Sequence, residues 1–99
     1  MADEPQRFMI NGTEVTMTAA DVLAATFRRE PPDTANTRTW WVLIRRKRLP
    51  VRWVIVRTLD YLAQQDVEVP ERRTSRYVQT EPAARILRRL GFTTGTDET

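Results

Sequence analysis

Residues 40–62 read WWVLIRRKRLPVRWVIVRTLDYL, and this stretch decides the fold. The aromatic and β-branched run from Trp40 to Ile44 is typical of a buried strand. The four basic residues Arg45–Arg48 then predict an exposed turn. Pro50 suits the first turn of a helix, where its missing N–H is harmless. The stretch therefore predicts a strand, a basic turn and a helix in direct succession.

The helix after Pro50 is predicted from its period. At 100° per residue, Trp53 and Arg57 fall on one side, and the positions on the opposite side form an apolar face. That face consists of Val51, Ile55, Thr58, Leu59 and Leu62. The valine-rich residues 51–56 could instead form a strand. We favour a helix because the 3.6-residue period persists as far as Leu62.

The N-terminal third predicts a hairpin followed by a helix. Asn11-Gly12 separates two short β-prone runs, and this dipeptide suits a turn that requires positive φ. Thr18 is a good N-cap with Asp21 three residues on, which is a variant of the capping box. One apolar stripe follows, and Pro31-Pro32 stops the helix. The stripe contains Ala19, Val22, Leu23, Thr26 and Phe27.

The C-terminal third predicts a short strand at 76–78 and a last helix that Thr80 caps. Ala83, Ile86, Leu87 and Leu90 share the apolar face of that helix. Gly91 is expected at positive φ just after the helix, with Phe92 folding back on the last turn. Residues 1–6 and 93–99 are expected to be flexible tails. The predicted fold is one compact α+β domain, with an N-terminal β-hairpin, three helices and a small sheet.

Charge is distributed very unevenly along the chain. Residues 38–89 hold 13 basic and 5 acidic residues, a net charge of +8, whereas residues 1–37 carry −3 and residues 90–99 carry −2. Residues 38–57 contain seven basic residues and no acidic ones. A strongly basic segment attracts polyanions because each neutralised phosphate releases condensed counterions. Nucleic acid, with duplex DNA the first choice, is therefore the predicted partner.

The candidate nucleic-acid-binding residues are those of this basic segment. Trp53 could stack on a base; the other candidates could hold phosphates, unless they only form the solvated face of an Arg-rich protein. They are Arg38, Arg45, Arg46, Lys47, Arg48, Arg52 and Arg57, with Arg85, Arg88 and Arg89 on the last helix. Trp53 could instead lie in the core, as Trp40 and Trp41 are expected to do.

Composition argues against catalysis and cofactors. The chain has no Cys and no His, which excludes disulfides, Cys/His zinc sites and histidine acid–base chemistry. Its few central carboxylates carry no Asp/Glu-x-Lys nuclease motif, and no glycine-rich phosphate loop is present. We expect no enzyme activity, no cofactor and no metal. Without an apolar run of membrane length or a signal peptide, a cytoplasmic location is expected.

Residues 40–92 resemble a known small module. Trp41–Ile44 matches its strand, Lys47–Arg52 its turn and helix start, and Ala84–Phe92 its closing Ala-x-Arg-x-Leu-x-Arg-Leu-Gly-Phe pattern. The module is the N-terminal head of McrA-like HNH restriction endonucleases of actinobacteria, also found in short stand-alone bacterial proteins. Arg46 stands where that pattern has glycine. The resemblance implies the same architecture and an accessory role in DNA defence, beside the nuclease and not as the nuclease.

Two other functions fit the sequence. The chain could be a protein–protein adaptor or a small homo-oligomer, with Trp53 and Val56 at the apolar centre of the interface and basic residues around it. It could also bind an acidic protein through the same charges. An electrostatic DNA complex would weaken steeply with salt, whereas an apolar interface would hardly respond.

Overall fold

A computed structural model describes residues 4–10, 12–31, 40–70 and 80–96 of the chain. Within these ranges the predicted α+β fold is confirmed, with three helices and two small antiparallel sheets. The elements, in chain order, are β1 (Gln6–Ile10), β2 (Thr13–Met17), α1 (Ala19–Thr26), β3 (Trp41–Ile44), β4 (Lys47–Pro50), α2 (Val51–Gln64), α3 (Thr80–Arg89) and β5 (Thr93–Gly95). The predicted strand at 76–78 and the candidate Arg38 lie outside the described residues.

The N-terminal hairpin forms as predicted. Ile10 pairs with Thr13, which leaves a two-residue turn, and Gly12 has a φ of +85°. Val15 and Met17 point into the core from alternate positions of β2. The expected N-terminal tail is one residue too long, because Gln6 already pairs with Met17 at the start of β1.

The second sheet has the strand order β4-β3-β5, all antiparallel. Two predictions were wrong here. Lys47 and Arg48 belong to β4, so only Arg45 and Arg46 form the turn, and Thr93–Gly95 is a strand and not part of a tail. Both short strands are polar or contain proline, so their own residues carry little β signal. They are strands because β3 lies between them and satisfies their backbone groups.

Helix α1 begins at its predicted capping signal but ends before the Pro31-Pro32 pair that was predicted to stop it. The Thr18 hydroxyl accepts a hydrogen bond from the Asp21 N–H at 3.1 Å, and the Asp21 carboxylate accepts one from the Thr18 N–H at 3.0 Å. This reciprocal pair is the predicted capping box. The helix ends at Thr26, and the predicted stripe is wrong at its last position, because Phe27 is 55% exposed. Phe27 has left the helix and has an extended backbone, which turns its ring away from the core.

Helix α2 occupies the centre of the fold. The predicted apolar face is confirmed, since all five of its residues are buried, and Val54 joins them. Helices α1 and α3 and strand β4 all pack on α2. Trp53 packs against the core as a half-buried side chain, so it is partly exposed, as the helical phase predicted.

Helix α3 ends in the predicted left-handed turn. Gly91 has a φ of +102°, its N–H donates to Arg88 O at 3.0 Å, and the Phe92 N–H donates to Leu87 O at 3.1 Å. This pair of bonds is a Schellman motif. The turn reverses the chain so that β5 can pair with β3. The Arg88 guanidinium then donates to Thr94 Oγ1, at 3.0 Å and 3.2 Å from its two nitrogens, which ties α3 to β5.

Candidate nucleic-acid interface

The hairpin that joins β3 to β4 has an unusual turn. Ile44 pairs with Lys47, so Arg45 and Arg46 are its two central residues, and their φ values are +50° and +69°. Positive φ at both positions is the type I′ pattern, which normally selects Asn or Gly because side chains with a Cβ are strained there. Two arginines therefore hold a backbone conformation that glycine would adopt more easily.

Arg45 attaches this hairpin to the end of α1. Its Nη2 donates to Leu23 O at 2.7 Å, and its Nη1 lies 3.4 Å from Thr26 Oγ1. Its guanidinium also lies 5.3 Å from the centre of the Phe27 ring. Leu23 O is among the last carbonyls of α1, which have no partner within the helix. Arg45 is an exposed residue of the predicted basic turn, and its side chain also caps the C-terminal end of α1. Its role as a phosphate ligand stays a prediction.

A cleft lies between the end of α1 and the β3–β4 hairpin. Its volume is about 440 Å³ and it is partly enclosed. Ile44 and Leu49 supply buried apolar wall, and most of the other lining residues are charged. The described residues that line it are Thr26, Arg28, Arg29, Glu30, Ile44, Arg45, Lys47 and Leu49. Four cations and one carboxylate thus face a single concave space, which gives the lining a formal charge of +3.

The charges in the cleft are only partly compensated. Lys47 Nζ lies 3.1 Å from Glu30 Oε1, and both side chains are mostly exposed, at 66% and 77%. The Arg28 guanidinium lies over the Phe27 ring, 5.2 Å from its centre, and so does the Arg45 guanidinium at 5.3 Å. Within the described ranges, the side chain of Arg29 has no hydrogen bond or ion pair. The cleft therefore has the charge and the free donors to hold an anion.

Arg46 lies at the tip of the same hairpin, outside the cleft lining. It is exposed, and it has no hydrogen bond or ion pair among the residues that the structure describes. Its neighbour Arg45 is turned back onto α1. Arg46 is therefore the charge that the strained turn presents to solvent.

The other predicted residues are spread over separate surfaces. The Arg48 guanidinium lies 4.3 Å from the centre of the Trp41 ring, on the outer face of the three-stranded sheet. Arg52 donates to Thr80 Oγ1 at 2.7 Å, between α2 and the first residue of α3. Arg57 forms an ion pair with Asp60 on α2. These three arginines make contacts within the fold and do not line the cleft, and their role in binding stays a prediction.

The exposed face of α3 carries its own group of basic residues. Arg85 pairs with Glu81 one turn away at 3.6 Å, and Arg88 bonds to β5. Arg89 is exposed. Trp53 and Val56, the centre of the alternative protein interface, are both half-buried and pack against the core.

Sequence reasoning missed Arg28, Arg29 and Glu30. They lie in residues 1–37, where the net charge is −3, so the segment was read as an acidic flank. A local signal did exist, because Phe27-Arg28-Arg29 follows the last helical residue and precedes a double proline. These arginines become part of a cleft only because the β3–β4 hairpin, which is distant in the sequence, packs against them.

No family model matches the chain, and neither the curated proteins nor the solved structures contain a significant match. No helix in the described part of the chain is long and apolar enough to cross a membrane. Across the same residues, no three acidic side chains are grouped so that they could hold a metal ion.

Proposed function

We propose that this protein is a non-catalytic module that binds nucleic acid through the phosphate backbone, with the cleft between α1 and the β3–β4 hairpin as its principal site. The observation that carries the proposal is the cluster of Arg28, Arg29, Arg45 and Lys47 around one partly enclosed space. Duplex DNA is the proposed ligand and the cytoplasm the proposed location.

The proposed role of each cation follows from its contacts. No described residue engages the Arg29 side chain, and a guanidinium fork matches two phosphate oxygens. Lys47 is shared with Glu30 and contributes less. Arg45 holds the hairpin against Leu23 O and so fixes the shape of the cleft. Arg46 extends the positive surface beyond the cleft along the path of a bound strand.

Binding of this kind reads no sequence, because phosphate contacts position a protein without discriminating bases. The resemblance to the head of restriction endonucleases adds the proposal that the module assists a DNA-defence nuclease. A plasmid incubated with the protein and Mg²⁺ should stay supercoiled, since the cleavage would belong to a partner; nicking would contradict the non-catalytic role.

The test is fluorescence anisotropy on a labelled duplex of arbitrary sequence at several salt concentrations. With about four phosphates contacted, log K should fall against log salt with a slope of about −3 to −4. Arg29→Gln should reduce that slope by about 0.9, because one phosphate contact is lost. Arg85→Gln is the matched control, since it removes the same charge from α3, outside the cleft.

Two results would refute the proposal. One is the absence of binding even at the lowest salt concentration. The other is equal weakening by Arg85→Gln and Arg29→Gln, which would mean that only the net charge matters and the cleft does not.

A further inference from the structure

We infer, building on the proposed function, that the cleft takes a phosphate monoester, the terminal phosphate of a nucleic-acid strand, in preference to an internal phosphodiester. The four cations, the apolar wall and the flanking Phe27 ring together favour the end of a strand. This inference concerns the ligand of the same site and can fail while backbone binding stands.

The shape of the cleft favours a terminal group. The space is about 440 Å³ and partly enclosed, which is within the roughly 300–1,000 Å³ typical of sites for small ligands. A terminal phosphate can enter such a space with its own nucleotide behind it. An internal phosphate is bonded to a nucleotide on each side, and both would have to leave through the same opening. It would therefore reach only the mouth of the cleft.

The charge of the cleft also favours a monoester. A phosphodiester carries one negative charge, whereas a phosphate monoester carries about −1.5 to −2 near neutral pH because its second pKa is about 6. Even with Lys47 paired to Glu30, three arginines line the space. The additional charge and the third terminal oxygen of a monoester would give these guanidiniums further charge-assisted hydrogen bonds.

The surroundings suit the rest of a terminal nucleotide. Ile44 and Leu49 give the cleft an apolar wall against which a sugar can pack. The Phe27 ring is exposed beside the cleft, and the Arg28 and Arg45 guanidiniums lie within about 5 Å of it. Because both guanidiniums lie over that ring, a terminal base would stack on the outer plane of a guanidinium.

The experiment compares single-stranded and duplex oligonucleotides of one sequence that differ only at their ends: hydroxyl, 5′-phosphate or 3′-phosphate. A terminal phosphate at one end should raise affinity about fivefold to tenfold, the effect of one or two additional hydrogen bonds. Arg29→Gln should remove this preference, and Arg85→Gln should keep it. Thermal melts of both variants check that they fold.

A change of pH adds a signature of the monoester. The preference should shrink between about pH 8 and pH 5.5, as the terminal phosphate gains its second proton. Histidine is the side chain whose ordinary pKa lies in that range, and the protein contains none. A preference that stays constant with pH would argue against recognition of the dianion.

A competition experiment distinguishes the two sources of a phosphate monoester, the end of a strand and a free nucleoside monophosphate. A nucleoside monophosphate should displace the oligonucleotide only at concentrations far above those of the phosphorylated strand. Equal competition by the mononucleotide would overturn the strand end as the ligand. Equal affinity for all three ends, with a steep salt slope, would overturn the inference and leave backbone binding intact. Absence of binding by every probe would refute the proposed function itself.

Discussion

Replacing Arg46 by glycine should stabilise the protein and weaken its binding to nucleic acid at the same time. The residue has a φ of +69° in a two-residue turn, a conformation that glycine adopts without strain. Its side chain is exposed and makes no hydrogen bond or ion pair with any described residue. Nothing in the described fold therefore offsets the strain of an arginine at this position.

The magnitude follows from two opposing effects. Left-handed backbone costs a residue with a Cβ about 1–2 kcal/mol. Glycine loses about 0.5–1 kcal/mol more backbone entropy on folding. The net gain for Arg46→Gly is then at most about 1.5 kcal/mol, with a midpoint of about 0.75 kcal/mol, which corresponds to a rise in Tm of about 3–6 °C for a domain of this size. Loss of one phosphate contact should lower the salt slope by about 0.9.

Arg46→Ala is the matched control, because it removes the same charge and keeps the strain. Both variants should weaken DNA binding equally in the anisotropy assay, and only the glycine variant should melt at a higher temperature. A Tm for Arg46→Gly at or below that of the unmodified protein would refute the strain argument. Unchanged affinity in both variants would remove Arg46 from the binding surface.

Three further substitutions test other contacts. Arg45→Ala should lower the free energy of unfolding by about 1–2 kcal/mol in a denaturant titration, because it removes the charged cap of α1; a loss no larger than that of Arg46→Ala would contradict the capping role. Glu30→Gln should strengthen DNA binding severalfold at low salt by freeing Lys47, with stability changed by less than about 0.5 kcal/mol because the pair is exposed; weaker binding would count against the cleft. Gly95→Val should destabilise the protein by more than about 1 kcal/mol and alter tryptophan fluorescence, because a Cβ there would lie 2.6 Å from Trp41 Cζ2. An unchanged thermal melt would show that β5 does not pack against this ring.

The parts of the fold that could be predicted are those with short-range causes. The Thr18–Asp21 capping box, the turn at Gly12 and the positive φ of Gly91 each depend on residues within a few positions of one another. The apolar face of α2 follows from one period sustained over three turns. Such signals are present in the sequence because the interactions themselves are local.

The strands β4 and β5 could not be predicted for the opposite reason. Lys47–Pro50 contains two cations and a proline, and Thr93–Gly95 ends in glycine, so neither favours a strand by itself. Each is a strand only because β3 offers it a row of hydrogen-bonding partners. The identity of a weak strand is therefore set by its neighbour in the sheet.

The candidate site was predictable only in part. Two residues of the predicted basic segment, Arg45 and Lys47, line one wall of the cleft. The opposite wall, Arg28 and Arg29, belongs to a segment of net negative charge and meets the hairpin through tertiary packing alone. Net charge counted along a sequence averages over residues that the fold separates, so it could not distinguish Arg29 from cations that are engaged within the fold, such as Arg57.

Strand β4 passes into α2 at Pro50–Val51 without an intervening loop, and this junction has a mechanical consequence. Proline has little freedom about φ, and the Val51 N–H donates to Trp40 O at 3.3 Å, so the hairpin and the central helix meet at a stiff joint. The backbone at the tip of the hairpin is thereby held in a fixed position relative to the core. A ligand that docks there would meet a backbone already in position, so the conformational entropy lost on binding would come from side chains such as that of Arg46.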